Sequence, residues 1–268
     1  MVSLNLDTPE LAATYDVVGH RQFSHGKLLI QDLGVRYGQR VLDVGAGTGL
    51  LAAYVASIVG PQGKVVAIDP LPLRVELAGK KASEVEAHVG RAEDLSAYPA
   101  SSFDVVYLNS VIHWIADKPK VLSEAWRVLK PGGKLGFTTA AKEKPHDVER
   151  LRVLALEQTG LSERAQVSSG IPHRVSADEV RALFAAGGFQ AKQVLIRTIV
   201  DYQQSAEDVH RASLSSSFGN SHLAGLSSDE RERVHRVFDA ELEKRRDAQG
   251  IRLERYLIFA VAEKPVVS

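Results

Sequence analysis

Cysteine is missing from this sequence altogether, which excludes disulfides, thiolate-held metals, iron–sulfur clusters and a cysteine nucleophile in one step. Charge of one sign is missing as well. Lys+Arg and Asp+Glu both number 33 in 268 residues, so the formal net charge is zero and no global field draws the chain to nucleic acid or to anionic lipid. Long hydrophobic runs are absent: the longest nearly uninterrupted one, Leu50 to Val59 (LLAAYVASIV), falls well short of the roughly 18 residues a membrane span needs. The opening residues, MVSLNLDTPELAATYD, carry acids and lack both a basic and an apolar leader region, so the expectation is a cytoplasmic protein. HExxH is absent and the histidines are scattered, so no metal is expected. What remains is 44% apolar, 25% charged and 6% aromatic residues, the composition of a globular chain with a large core.

Four short strand-like runs punctuate the first half: Val41 to Val44, Lys64 to Ile68, Phe103 to Leu108 and Lys134 to Thr139. Helical patterns lie between them, the alternation of βαβ units around a parallel sheet. Leu50 to Val59 supplies one crossover helix, ended by Gly60-Pro61-Gln62-Gly63. Asp117 caps another through Leu129, with Pro119 in its first turn, and Pro131-Gly132-Gly133 turns the chain into the next strand. In the second half, Ser176 and Glu179 form a capping box for a helix to about Ala186, stopped by Gly187-Gly188. A strand is expected at Gln193 to Val200, a charged helix from Ser228 to Asp247 and a last strand at Tyr256 to Ala262. Within the charged helix Val234, Phe238 and Leu242 repeat every four residues, so one stripe packs down while mixed charges face water.

The strongest local signal is Val41-Leu42-Asp43-Val44-Gly45-Ala46-Gly47-Thr48-Gly49-Leu50, a strand running into a glycine-rich turn and a helix. Glycine permits left-handed dihedrals and close approach of a ligand to the backbone, and the helix start offers unpaired N–H groups to a carboxylate or phosphate. A dinucleotide fingerprint would need glycine at position 50, where Leu50 stands, so the spacing is G-x-G-x-G. Asp69 ends the second run, 20 residues beyond Gly49. There it can accept bonds from ribose hydroxyls or, followed by Pro70, cap a helix; the spacing favours ribose.

With these residues, and with Gly90 to Leu95 (GRAEDL), Phe103-Asp104, Asn109 to Trp114 (NSVIHW) and Leu129 to Gly133 (LKPGG) in the same order, the sequence resembles the class I S-adenosylmethionine (SAM)-dependent methyltransferases over roughly residues 35–140. The resemblance implies an α/β, Rossmann-like, mostly parallel seven-stranded sheet with helices on both faces and a helical lid insertion. It implies SAM as cofactor, with Gly45, Ala46, Gly47 and Gly49 around its methionine part, Asp43 ordering the loop, Asp69 and Pro70 at ribose, Ala92 and Glu93 at adenine, and Asn109 nearby. Related enzymes often carry an acid where Arg91 stands, which leaves the adenine amino group to Glu93 or Asp94. A single methyltransferase domain is expected over 1–268, with residues 1–30 as an N-terminal cover, 35–140 as the SAM-binding core, and 141–175 and 201–250 as lid insertions.

The methyl acceptor is the open part. A carboxylate acceptor needs no base, whereas a hydroxyl or carbon acid does, and His113 or Tyr15 can then serve. His113 and Trp114 follow a strand end of the kind where α/β ligands gather, although a packed aromatic pair is the plainer role for Trp114. His20, Phe23 and His25 share the N-terminal cover with Tyr15, and His173 precedes a capped helix. Zero net charge and apolar Phe218, Leu223 and Leu226 in a Ser/Gly/Asn context favour a small-molecule acceptor over nucleic acid. The layout is loosely similar to quinone-biosynthesis and trans-aconitate methyltransferases, while the lack of cysteine argues against the arsenic branch. O- or C-methylation is expected. The alternatives are a nucleotide-dependent oxidoreductase and a SAM-binding protein without methyl transfer.

Overall fold

The computed structural model describes residues 19–163, 173–214, 223 and 225–266. In chain order these form α1 (His20–Leu33), β1 (Arg40–Val44), α2 (Leu50–Val59), β2 (Lys64–Asp69), α3 (Pro72–Lys81), β3 (Val85–Val89), β4 (Phe103–Asn109), a 3-10 turn (Ile112–Trp114), α4 (Lys118–Val128) and β5 (Leu129–Ala140). They continue with α5 (Asp147–Gln158), α6 (Ala177–Ala186), β6 (Gln190–Gln203), α7 (Ala206–Leu214), α8 (Ser228–Glu243), β7 (Arg246–Asp247) and β8 (Gly250–Glu263). The chain divides into two compact units. The first takes the described residues through Ala140 with His173–Ile196 and the chain from Ile258, and the second takes those in Ala141–Pro172 and Arg197–Leu257.

The sheet runs β3-β2-β1-β4-β5-β8-β6, with β7 paired to β8 off this path, and β1 to β5 pair parallel throughout. From β1 the chain steps outward through β2 to β3, and then returns to the other side of β1 as β4 and β5. That reversal makes the carboxyl ends of β1 and β4 a topological switch point, where open α/β sheets hold their ligands. β1, β2 and β4 are buried on both faces over most of their length, as central parallel strands are. Helices α1 and α2 pack on one another, α3 packs on β2 and β3, and α4 packs on α6 and β5.

Local chemistry explains the boundaries. Asp117 accepts the Lys120 N–H at 3.0 Å and starts α4, which stops at Val128, one residue before its expected end. β5 then begins at Leu129, five residues earlier than expected. Its pairing with β4 jumps from Phe103↔Leu129 to Val105↔Lys134, so Pro131-Gly132-Gly133 forms an irregularity inside the strand and not a turn ahead of it. The Ser176–Glu179 capping box is present on α6.

The second unit holds its own core, built from Leu151, Ala155 and Leu156 of α5, Val209 of α7, Val234, Phe238 and Leu242 of α8, and Leu223, Leu226, Ile251 and Leu253. The four-residue stripe on α8 is buried as expected, behind a Ser227–Glu230 capping box. The helix ends at Glu243 and not at Asp247, because Arg246, next in the stripe, is exposed and joins β7. Asp147, fully buried, accepts from the Arg150 and Arg245 guanidiniums and, at 2.9 Å, from the Glu254 N–H, which fastens α5 to the start of β8 within this unit.

Candidate functional site

Three glycines shape the loop after β1. Gly45, Gly47 and Gly49 have φ of +77°, +56° and +82°, the left-handed region that L side chains seldom enter. A Cβ on Gly45 would collide with the Val111 side chain, with Cγ1 at 2.9 Å, and one on Gly49 would lie 2.8 Å from Ala78 Cα. The loop is also held by hydrogen bonds: the N–H groups of Gly45 and Ala46 donate to the Ile68 carbonyl at 2.7 and 3.0 Å, and the Gly47 N–H donates to Asp69 Oδ2 at 2.9 Å. It leads into α2, whose N-terminus has no side-chain cap, so the first-turn N–H groups and the positive end of the helix dipole are presented at the switch point.

Asp69 is buried at the carboxyl end of β2. Besides Gly47, its Oδ1 accepts the Leu71 N–H at 3.0 Å. Asp69 does not cap the helix that follows: Leu71 is the N-cap residue of α3 and the helix has no side-chain cap, so the Leu71 bond is a local turn contact ahead of it. Pro70 follows it, half-buried. Asp43, beneath the loop on β1, accepts the Tyr107 O–H through Oδ2 at 2.6 Å. Burial, with a smaller push from the Asp69 charge, raises the Asp43 carboxyl to about 7 against the pull of the Tyr107 hydrogen bond. Burial and the neighbouring Asp43 push the Tyr107 phenol well above its ordinary range.

Beyond β3, Ala92 is buried and Glu93 lies 3.9 Å from the Arg91 guanidinium. This segment is pinned from α4: Glu124 Oε2 accepts the Leu95 N–H at 2.8 Å, and Arg127 donates to the Leu95 and Tyr98 carbonyls. The Arg127 hydrogen bond holds the Glu124 carboxyl below the usual carboxylate range.

On the β4 side, Asn109 is fastened at both ends of its amide. Nδ2 donates to the Gln22 carbonyl of α1 at 3.0 Å and Oδ1 accepts the Thr138 hydroxyl of β5 at 2.7 Å. Ser110 follows with φ +61°, and its N–H donates to Thr138. Its hydroxyl meets His25 Nε2 of α1 at 2.9 Å. Helix α1 comes this close because Gly26 has no side chain; a Cβ there would lie 2.7 Å from Leu51 and 2.9 Å from Asn109 Nδ2. His113 is buried in the 3-10 turn, its Nδ1 3.0 Å from the Thr139 hydroxyl and its ring 5.0 Å from that of Trp114.

The structure therefore brings Asp43, Gly45, Ala46, Gly47, Gly49, Asp69 and Pro70 together on the β1–β2 side of the switch point, with Asn109 and His113 on the β4–β5 side. The Ala92–Glu93 segment follows β3. Tyr15 lies outside the described residues. His20 and His173 are exposed, the latter donating its N–H to the His113 carbonyl. Tyr107, Ser110, Thr138 and Thr139 were not singled out by sequence. Only the strand alternation that sends Tyr107 inward and the position of Ser110 just past a strand end pointed toward them.

Residues 42–137 match the family described as methyltransferase domain. The chain is 36% identical over 130 residues to arsenite methyltransferase of Mus musculus, which covers 43% of this chain and 35% of that one. It is 35% identical over 138 residues to the ubiquinone/menaquinone biosynthesis C-methyltransferase UbiE of Cronobacter sakazakii, covering 47% and 54%. The chain thus spans about a third and about half of the length of these two relatives. A SAM-dependent methyltransferase from Aquifex aeolicus has the same fold, with a TM-score of 0.55 at 19% identity over 97% of this chain and 95% of that one. Sheet order and glycine loop define an α/β, Rossmann-like fold, which the solved neighbour shares. Within that class, residues 42–137 are similar to the methyltransferase domain family, and the Aquifex aeolicus protein of the same fold is SAM-dependent, so SAM is the cofactor to test against the site.

The residues present fit that cofactor. An uncapped helix start suits its carboxylate, a left-handed glycine loop leaves room beside the backbone, and an acid at the end of β2 suits ribose hydroxyls. Among the described residues no group of His, Asp and Glu is placed to hold a metal, and no helix is long and apolar enough to cross a membrane.

Proposed function

We propose that the protein transfers a methyl group from SAM to a small-molecule acceptor, at oxygen or carbon. The observation that carries this reading is the Asp69–Gly47 hydrogen bond, which joins the acid of β2 to a loop of three left-handed glycines at the switch point. Gly45, Ala46, Gly47 and Gly49 border the methionine part, with the α2 N-terminus at its carboxylate. Asp69, whose carboxylate has about four acceptor positions, takes ribose hydroxyls while it holds the loop. Ala92 and Glu93 border the adenine. Bound there, SAM supplies a methyl group already activated on a sulfonium. The chain has to place the acceptor atom about 3–3.5 Å from that carbon and exclude water. His113, held through Nδ1 by Thr139, is the group to take a proton from a hydroxyl or carbon acid.

The likeness to UbiE supports a C-methylated small acceptor. The likeness to arsenite methyltransferase stops short of arsenite as the acceptor, because this sequence has no thiol to ligate arsenic. Calorimetry with S-adenosylhomocysteine, followed by incubation with methyl-labelled SAM and a metabolite extract, tests the proposal. One site per chain and label in a small product are expected. Binding of NAD(H) in place of S-adenosylhomocysteine, or binding without label transfer, would overturn it.

A further inference from the structure

Asp43 and Tyr107 stand opposite one another where β1 pairs with β4, and their register is fixed by the parallel ladder that closes the switch point. Asp43 is 2% exposed and Tyr107 fully buried, so neither reaches water for a replacement hydrogen bond. The phenol O–H donates to Asp43 Oδ2 at 2.6 Å, two residues before the first glycine of the loop. From the other side β2 brings Asp69, a like charge, whose own Oδ2 takes the Gly47 N–H. Ionising Asp43 therefore creates a second buried anion beside the first, with burial opposing it and the phenol hydrogen bond supporting it.

We propose that Tyr107 is a positioning residue for the cofactor: its O–H holds the Asp43 carboxylate under the glycine loop, and the couple makes SAM affinity rise as Asp43 ionises. This rests on the reading that the loop binds SAM. The cofactor carries an ammonium and a sulfonium, so an anion beneath the loop attracts it and a neutral carboxylic acid does not. By linkage, whatever favours ionised Asp43 favours SAM binding, and SAM binding in turn favours ionisation. Loss of the phenol O–H withdraws its support from the anion and moves ionisation to higher pH.

The test is calorimetry of the full chain with SAM from about pH 5.5 to 8.5, a range that spans the value to which Asp43 is raised. Wild-type affinity should increase with pH below the midpoint, by as much as about tenfold per pH unit for one proton released. Tyr107→Phe should show the same curve displaced upward, and Asp43→Asn should lose the rise, which separates Asp43 from histidines titrating in the same range. A flat wild-type curve, a Tyr107→Phe curve with the wild-type midpoint, or a rise that persists in Asp43→Asn would overturn the proposal. Should Tyr107→Phe fail to fold, the comparison of Asp43→Asn with wild type decides alone. Failure of SAM to bind the wild type at any pH would instead sink the cofactor reading beneath it. In the cofactor-free protein, the infrared band of a protonated carboxyl should fade with pH at a higher midpoint in Tyr107→Phe than in wild type.

Discussion

The hydroxyl of Ser110 meets Nε2 of His25 at 2.9 Å while the Ser110 backbone sits at φ +61°, so a strained residue at the end of β4 is tied to helix α1. A non-glycine residue in that conformation costs about 1–2 kcal/mol, and strain of this kind gathers at ligand sites. Ser110→Ala keeps the strain and loses the hydrogen bond. Ser110→Gly loses the same bond but relieves the strain. Urea denaturation should place Ser110→Gly about 1 kcal/mol above Ser110→Ala in stability. Equal stability of the two would mean the left-handed backbone carries no cost here.

Asp43 links stability to pH in a direction opposite to that of most carboxylates. Its carboxyl is raised from 3.8 to about 7. Between those values the unfolded chain has released the proton and the folded chain retains it. Folding stability therefore falls as pH rises through that window and levels off above it. Asp43→Asn removes this dependence. Relative to wild type, the variant should gain on the order of 2–4 kcal/mol between about pH 4 and pH 8. Thermal denaturation of both proteins at the two pH values checks it, and a constant difference in melting temperature would remove Asp43 as the source.

Much of this arrangement is legible in the sequence because it is local. Gly45, Gly47 and Gly49 follow directly on β1, Leu50 to Val59 is continuous, and the Ser176 capping box closes over three residues. The strand β3 (VEAHV) was not anticipated, since only Val85 of its five residues is buried and no apolar alternation marks it. Helix α1 was expected only as a cover, and its polar His25 turns out buried against Ser110, 85 residues away. Tyr107 and Asp43 are likewise 64 residues apart and meet only through β1–β4 register. Pairings of that range come from topology, which the sequence pattern does not encode pair by pair.

The contact between Gly45 and Val111 gives a prediction in which two substitutions partly cancel. Gly45→Ala forces a side chain into φ +77° and against the Val111 methyls. Backbone strain of about 1–2 kcal/mol and overpacking of about 1–3 kcal/mol both apply. Val111→Ala removes only the second. The double variant should therefore recover the overpacking part, so the two changes should be non-additive by roughly 1 kcal/mol or more in chemical denaturation. Additive effects would mean the loop moves away from Val111 when Gly45 is replaced.

His113 bears on the chemistry of the acceptor. It is buried in the turn after β4, with Nδ1 3.0 Å from the Thr139 hydroxyl, which orients the ring. A base removed from a proton-transfer step costs about 10²–10⁴-fold in rate, while a group that does not touch the cofactor leaves its affinity alone. His113→Ala should accordingly lower kcat by that order with the Kd for S-adenosylhomocysteine unchanged. The wild-type rate should rise with pH as the base gives up its proton. Thr139→Val, which removes the Nδ1 partner but keeps the ring, should lower kcat less than His113→Ala does and leave the direction of the pH dependence intact. A carboxylate acceptor predicts the contrary, because it is already ionised: a flat profile from acid to neutral pH and an active His113→Ala enzyme. That outcome would reassign His113 to packing against Trp114 and would move the acceptor from hydroxyl or carbon acid to carboxylate, with methyl transfer itself untouched.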